Sequence, residues 1–401
     1  MNICFVTARF PFPITKGDTL RAYYQIRELS REHSVHLIAV AENAVPPSAF
    51  AEMQKYCSGI EVVKVGRARS FATVAALGIG SRLPLQVLYF LAPELQATVE
   101  RAARRQKFDV IHAMTIRVGP AVFAAPDVPV VVDFMDSFAA NISTRRALVG
   151  PLKRRVYDIE LARVTAYERE IAHRVAGGFV IADLDRKAIG VPGLAIIPNG
   201  VDLAAFPFYS GERDAQTLVF TGNMGYQPNV DAVTWFAAEC WPELKSHQPD
   251  LRLVIVGARP SPAVLALARQ PGIEVTGRVE SMVPYLHRAT IAVCPIRCGS
   301  GMQNKLLEAM ATGAPVVTTE FANRGIGAVA GRDVAVGSDA AQLVDAISLL
   351  LNDRALRERQ ALSAQAWVEA TYGWSRHAAA LVEEYSRAIR AMNVPPLEKA
   401  G

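Results

Sequence analysis

The sequence predicts an α/β protein built from two parallel-sheet domains. Three observations carry this. Apolar strand-like runs alternate with helical stretches, the pattern of a parallel sheet. The chain has 401 residues, more than one hydrophobic core ordinarily fills. A polar stretch without a clear period, Phe206 to Gln216, separates two such series and is expected to link the domains. The first domain is therefore placed at 1–205.

Composition narrows the class. Apolar residues make up 51% and charged residues 20%, as in a folded globular chain. No apolar run approaches the length of a membrane-spanning helix. Residues 3–8 are apolar but lack a basic flank and a cleavage site, so they are expected to be a first strand and not a signal peptide. The cysteines (Cys4, Cys57, Cys240, Cys294, Cys298) are odd in number and scattered. That argues against a zinc site and for reduced thiols in a cytoplasmic protein. Residues 1–202 carry 25 Lys and Arg against 19 Asp and Glu, whereas 203–401 carry 18 against 19. The basic half fits either an anionic partner or a merely soluble face. Nucleic acid is not expected, because the basic runs lack interleaved aromatics and no reader motif occurs.

In the first half, Asn2 to Thr7 is the first buried strand. Prolines 11 and 13 exclude helix in the loop that follows. Asp18 or Thr19 can cap a helix from Leu20 to Glu32. The dinucleotide fingerprint Gly-x-Gly-x-x-Gly is absent, which disfavours an NAD-dependent enzyme. Further strands are expected at Val35–Val40, Ile60–Val65, Asp109–Met114, Val128–Phe134, Gly178–Ala182 and Leu194–Pro198, with a helix at Pro93–Gln106. Asp133 and Asp136 follow Val130-Val131-Val132, at a strand's carboxyl end where open α/β sheets bind ligands. His112 ends the preceding strand; such a histidine is also a common packing residue. Leu83 to Leu91 is apolar, and basic segments lie at Arg101–Lys107, Arg145-Arg146 and Lys153-Arg154-Arg155, the last two flanking 147–152. A cationic and apolar surface suits contact with anionic lipid, although Leu83 to Leu91 equally fits a core. Asn199-Gly200-Val201-Asp202 is a turn.

In the second half, Thr217 to Gly222 starts a new strand, followed by the loop 222–229 and a helix from Val230 to Leu244 capped by Asn229. Gly222 and Gly225 can offer backbone N–H groups, but no cation occurs between Arg213 and Lys245. Leu251–Gly257 and Ile273–Gly277 are strands, and Met282–Arg288 is a short helix. Then comes the most informative stretch. The strand Ile291–Ile296 enters a turn with Gly299, Ser300 and Gly301, which opens a helix ending at Gly313-Ala314-Pro315 before the strand Val316–Thr319. Glycines there permit close backbone approach, and the free N–H groups of a helix start suit a diphosphate. Asn304, Lys305 and Glu308 share one helix face, while Leu307, Met310 and Ala311 face a core. An ordinary amphipathic helix with a Lys305–Glu308 surface pair has the same pattern. Helices at Ala340–Leu351, Arg354–Thr371 (Asp353 as its cap) and Trp374–Met392 complete the chain.

The stretch 295–317, with Gly299-Ser300-Gly301-x-x-x-Lys305-x-Leu307-Glu308, resembles the donor-site motif of the retaining glycosyltransferases of family 4 (glycosyl transferases group 1). Their usual form is Glu-x7-Glu. Here Leu307-Glu308-Ala309-Met310-Ala311 matches its second half, and Ser300 stands where the first Glu would be. A branch of bacterial exopolysaccharide transferases shares this departure.

The resemblance implies a GT-B fold: two Rossmann-like domains facing across a cleft, an acceptor domain at 1–205, a nucleotide-sugar domain at 206–372, and a C-terminal helix, 373–401, crossing back to the first domain. It implies a metal-independent transferase that moves a hexose-type sugar, with retention, from a UDP- or GDP-linked donor to a glycan or lipid-linked acceptor. The activity class is hexosyltransferase, in exopolysaccharide or cell-surface glycan synthesis. No metal or resident cofactor is implied. By the same resemblance Arg297, Lys305 and Glu308 carry catalysis. Gly17, Gly222, Asn223, Arg278, Gly299, Ser300, Gly301, Met302, Gln303, Asn304 and Glu308 bind the donor. Lys16, Asp18, Arg21, His112, Asp133 and Asp136 lie on the acceptor side. The expected place is the cytoplasm, with peripheral contact at the inner face of the plasma membrane. An epimerase on the same scaffold and a non-catalytic partner subunit are the alternatives.

Overall fold

The computed structural model describes residues 1–146, 150–299 and 302–393. The chain divides into two compact units. Unit 1 comprises Met1–Pro198 and Trp374–Gly401, and unit 2 comprises Asn199–Gly373.

Unit 1 is built on seven strands: β1 (Asn2–Thr7), β2 (Ser34–Ala41), β3 (Gly59–Lys64), β4 (Val110–Met114), β5 (Val130–Met135), β6 (Gly177–Val180) and β7 (Ala195–Ile196). They lie in the order β3-β2-β1-β4-β5-β6-β7, all parallel. That is the doubly wound order, with its switch point between β1 and β4. Helices cover both faces, so the central strands β4 and β5 are buried on every residue. Cys4 and Val6 of β1 enter one core, and Ile3 and Phe5 enter the other. The last helix, Trp374–Asn393, adds Leu381, Tyr385 and Ala388 to the Ile3/Phe5 core. Its apolar stripe therefore faces this unit.

Unit 2 has six parallel strands: β8 (Thr217–Thr221), β9 (Arg252–Val256), β10 (Ile273–Gly277), β11 (Ile291–Cys294), β12 (Val316–Thr319) and β13 (Ala335–Gly337). Their order is β10-β9-β8-β11-β12-β13, the same winding, with the switch point between β8 and β11. At the carboxyl ends of β8 and β9 two backbones touch. A Cβ on Gly257 would lie 1.6 Å from the Gly222 carbonyl oxygen, and both glycines have φ near +150° (154° and 153°). Gly222 donates its N–H to Val256, and Gly257 to Gly277. Only glycine fits at these two positions.

Several expectations change. The helix after β1 spans Gly17–Leu29 with Lys16 as its N-cap, and Thr19 bonds back to the N–H groups of Thr15 and Lys16. The helix expected at Val230–Leu244 is two helices, Gln227–Glu239 and Trp241–His247. Pro242 takes the first turn of the second, where its missing N–H costs nothing. Asn229 is inside the first helix and not its cap. Asp353 does cap Arg354–Tyr372, through Leu356 N–H.

The boundary lies at Pro198, not at Ala205. Phe206 to Gln216 packs as part of unit 2: the Phe208 ring covers Gly313, Tyr209 stacks on His287 at 4.7 Å, and Arg213 donates to five backbone carbonyls (Tyr209, Leu286, His287, Ala289, Thr312). Leu83 to Leu91 is core and not a surface: it holds the short helix Leu85–Tyr89, and Val87, Leu88 and Phe90 are buried. Residues 147–149 lie outside the described residues. No helix among the described residues is long and apolar enough to cross a membrane.

The glycine contact is testable. Gly257→Ala should destabilise unit 2 by on the order of 3 kcal/mol, from backbone strain plus overlap. Thermal or urea unfolding would show it, and an unchanged midpoint would contradict the described contact.

Candidate functional site

In unit 2 the carboxyl ends of β8, β9, β10 and β11 carry the candidate groups. The helix Asn304–Ala311 starts close behind β11 and buries Leu306, Leu307, Ala309 and Met310. Its other face holds Asn304, Lys305 and Glu308. Lys305 Nζ donates to Asn229 Oδ1 at 2.6 Å and reaches Gln303 Oε1 at 3.4 Å, and it lies 5.0 Å from the Phe220 ring centroid. Burial lowers its pKa. Asn229 in turn donates to Asn223 O at 2.9 Å. Lys305 is thus a brace between its helix and the loop after β8.

Glu308 is different. Burial raises its pKa from 4.5 to about 7, with Lys305 pulling weakly the other way. Among the described residues its carboxylate accepts no hydrogen bond. Asn304 Oδ1, on the same face, is buried and has no partner either. The buried Asn304 acceptor is costly unless a ligand supplies a hydrogen, and the half-buried Glu308 carboxylate beside it is open to accept from the same ligand.

Other expected residues separate into two groups. Arg297 makes a bidentate pair with Asp231 (2.9 and 3.0 Å) and stacks on Trp235 at 4.4 Å, so its charge is already answered on the helix Gln227–Glu239. Gly222 and Gly225 do not offer free N–H groups: the first bonds to Val256 O, the second to Asn223 Oδ1 at 3.0 Å. Arg278, after β10, is exposed and unpaired among the described residues. Gly299 has φ 120°, a conformation that favours glycine. Gln303 is the residue before the helix, and Met302 packs partly against the core. Ser300 and Gly301 lie outside the described residues.

One residue escaped the sequence reading. Arg259 follows β9, is exposed and unpaired among the described residues, and has φ 57°. Its Cβ lies 3.4 Å from where a side chain on Gly225 would begin. Arg259 thus lies against the loop after β8, which carries no cation of its own. Its only sequence signal was its place just past a Val-Ile-Val-Gly strand end.

In unit 1 the structure divides the acceptor-side candidates. Arg21, His112 and Asp133 are fully buried and serve the core, which corrects their assignment. Arg21 Nε donates to Asp133 Oδ2 at 2.5 Å, and its other nitrogens to Pro198 O and Ile197 O. Gln25 and the Met135 N–H complete the bonding of Asp133. His112 stacks on Phe5 at 4.1 Å and bonds to Tyr385 OH at 2.7 Å; burial drops its pKa to about 3, so it is neutral. Lys16, Gly17 and Asp18 stay at the accessible carboxyl edge. Asp18 accepts from both Arg9 and Arg117. Asp136 keeps a buried oxygen without a partner, and burial raises its pKa. Among the described residues, the non-glycine residues with positive φ are Thr115, Met135 and Arg259. Each sits at or just past the carboxyl end of a parallel strand, where functional strain gathers. Among the described residues no group of His, Cys, Asp or Glu is placed to hold a metal.

Comparison with known proteins fits this geometry. Residues 215–353 match the family described as Glycosyl transferases group 1, so this stretch is a glycosyltransferase domain of that group. Glycogen synthase of Mycobacterium tuberculosis (strain H37Rv) is 27% identical over 304 residues, 72% of this chain and 70% of that protein. Anabaena Alr3699/HepE, solved in complex with UDP and glucose, is 15% identical with a TM-score of 0.64, over 96% of this chain and 99% of that one. Sucrose-phosphate synthase from Thermosynechococcus elongatus is 14% identical with a TM-score of 0.68, over 98% of this chain and all (100%) of that one. The two Rossmann-like α/β units are those of the GT-B fold.

Proposed function

We propose that the protein is a retaining glycosyltransferase that moves a hexose-type sugar from a UDP- or GDP-linked donor to a hydroxyl of a glycan or lipid-linked acceptor. The observation that carries this is Glu308, a half-buried carboxylate with a raised pKa and no hydrogen-bond donor among the described residues, at the switch point of a glycosyltransferase-type domain. Ribose hydroxyls are the donors it fits, with Asn304 beside it. The leaving diphosphate gathers negative charge as the anomeric carbon becomes oxocarbenium-like. Arg259, Arg278 and the N-terminal N–H groups of the helix Asn304–Ala311 are the groups to stabilise it. Gly299, Ser300 and Gly301 are assigned to the donor sugar. The leaving phosphate takes the acceptor proton, so no side-chain base is needed. Lys16, Asp18 and Asp136 are the acceptor-side groups that remain, and Gly17 keeps its assignment to the donor.

We further assign unit 1 a peripheral contact with anionic lipid in the cytoplasm. Ile79 is 95% exposed, and Val156 and Ile159 are each 56% exposed. Arg163 holds the Ile79 turn through the carbonyls of Gly78 and Ile79 at 2.7 and 3.1 Å. Val156, Ile159 and Arg163 recur at helical spacing on Pro151–Arg174, so the apolar side chains lie along one stripe. Lys153, Arg154 and Arg155 are exposed next to them. Apolar residues ringed by cations match an anionic interface.

Two experiments test these readings. Burial raises the Glu308 pKa to about 7, so binding through its ionised carboxylate releases a proton near that pH. Calorimetry with UDP and GDP in buffers of unequal ionisation heat should show proton release near pH 7 and affinity rising from pH 6 to 8. Glu308→Gln should abolish the release and weaken binding at least tenfold. Equal proton counts in both proteins would sink the role of Glu308; no binding of either nucleotide by the wild type would favour the non-catalytic subunit. In flotation, vesicles with anionic lipid should carry the protein and neutral vesicles should not. Ile79→Asp/Ile159→Asp should stay in the soluble fraction; if it floats equally, the surface is wrong.

A further inference from the structure

Unit 1 gathers more positive charge at its carboxyl edge than its own acids answer. Arg9, Lys16 and Arg117 converge on one carboxylate, Asp18. Arg9 Nη1 and Arg117 Nη1 both donate to the same oxygen of Asp18, the latter at 3.1 Å. The Lys16 pKa is lowered by burial and then by Arg9, the mark of crowded cations. A second acid, Glu42, also acts on Lys16, but it is held by Arg67 at 2.7 Å and Tyr89 at 3.0 Å. Arg117 is nearly buried, with 17% of its side chain exposed, and its Nε has no hydrogen-bond partner. Burial lowers its pKa to about 10, so it stays charged at neutral pH. A buried donor left open beside a net excess of charge calls for an anion.

Arg117 also lines a cavity of about 340 Å³ whose other walls include Leu77, Phe90, Leu91, Leu95 and Val118. That volume lies within the range of small-ligand pockets. The apolar and cationic parts share a wall: Arg9 and Arg117 stand 5.2 and 5.6 Å from the Phe90 ring centroid. Leu77 is 46% exposed at the cavity and leads by two residues to Ile79. A neutral glycan leaves the cations unanswered, and a purely polar anion leaves the apolar cavity empty.

We infer that this site holds the head and first part of the chain of an anionic amphiphile, an aliphatic or isoprenoid phosphate or diphosphate. The inference rests on the reading of unit 1 as the acceptor-binding half, and it narrows the acceptor to one chemical class. Arg9, Lys16 and Arg117 bind the phosphate oxygens, with Asp18 holding the two guanidinium groups in place. The chain enters the cavity beneath Phe90.

The test uses the full chain and three probes below their micelle concentrations: farnesyl diphosphate, inorganic diphosphate and farnesol. By calorimetry, farnesyl diphosphate should bind at least tenfold more tightly than either of the others, and saturating UDP should not displace it. Arg9→Gln and Leu77→Glu should each weaken that binding at least tenfold while leaving the melting temperature and UDP affinity unchanged. Equal affinity for inorganic diphosphate would mean a free-anion site and overturn the inference. Displacement by UDP, or unaffected binding in both variants, would place the probe elsewhere and overturn it too. Loss of this binding with UDP binding intact removes only the acceptor class. Failure of UDP to bind while farnesyl diphosphate does removes the donor reading and leaves this site standing.

Discussion

Burying one ammonium group organises the carboxyl edge of unit 2. Lys305 sits on a helix whose opposite face is core, so its charge is taken largely out of water. Such a charge must be met by well-placed polar groups. Asn229 Oδ1 meets it at 2.6 Å, which ties the helix Asn304–Ala311 to the loop after β8. Asn229 fits only because residue 222 is glycine: a Cβ there would lie 2.8 Å from its Nδ2. Gly222 in turn lets the Gly257 backbone approach. The brace therefore leads through two glycines to the ends of β8 and β9. It also leaves Glu308 one turn along the helix with a neighbouring cation but no hydrogen-bond donor.

Unit 1 handles buried charge in another way. Arg21 and Asp133 answer each other completely inside the core, with Gln25 and three backbone groups finishing the network. Those charges hold β5 against the first helix and the end of β7. Because they are saturated, the groups left for chemistry are the under-answered ones at the edge, Arg9, Lys16 and Arg117.

The strands were legible because buried parallel strands are continuous apolar runs; Val316–Thr319 lies where its residues place it. The helices Arg67–Leu77 and Pro151–Arg174 were not, since they show weak apolar stripes and long exposed faces. Glu308 and Lys305 stood out as charges inside an apolar run. Arg21, in the first helix, and His112 and Asp133, on β4 and β5, misled because a polar residue looks the same in sequence whether it meets solvent or a buried partner. Arg21 and Asp133 lie 112 positions apart in sequence, beyond any local pattern. Arg259 was hidden for the opposite reason: nothing local distinguishes it until β9 and the loop after β8 are side by side.

The central claim is that Glu308 grips the ribose of a nucleotide. The most direct measurement is a cycle of four affinities: the bound nucleoside diphosphate and its 2′,3′-dideoxy analogue, each with the wild type and with Glu308→Gln. If the carboxylate accepts the ribose hydroxyls, removing them should weaken wild-type binding by about 2 kcal/mol or more, as for hydrogen bonds to a charged group. The same removal should matter little once Glu308 is gone, giving a large coupling energy. Equal losses in the two proteins, with no coupling, would contradict the account.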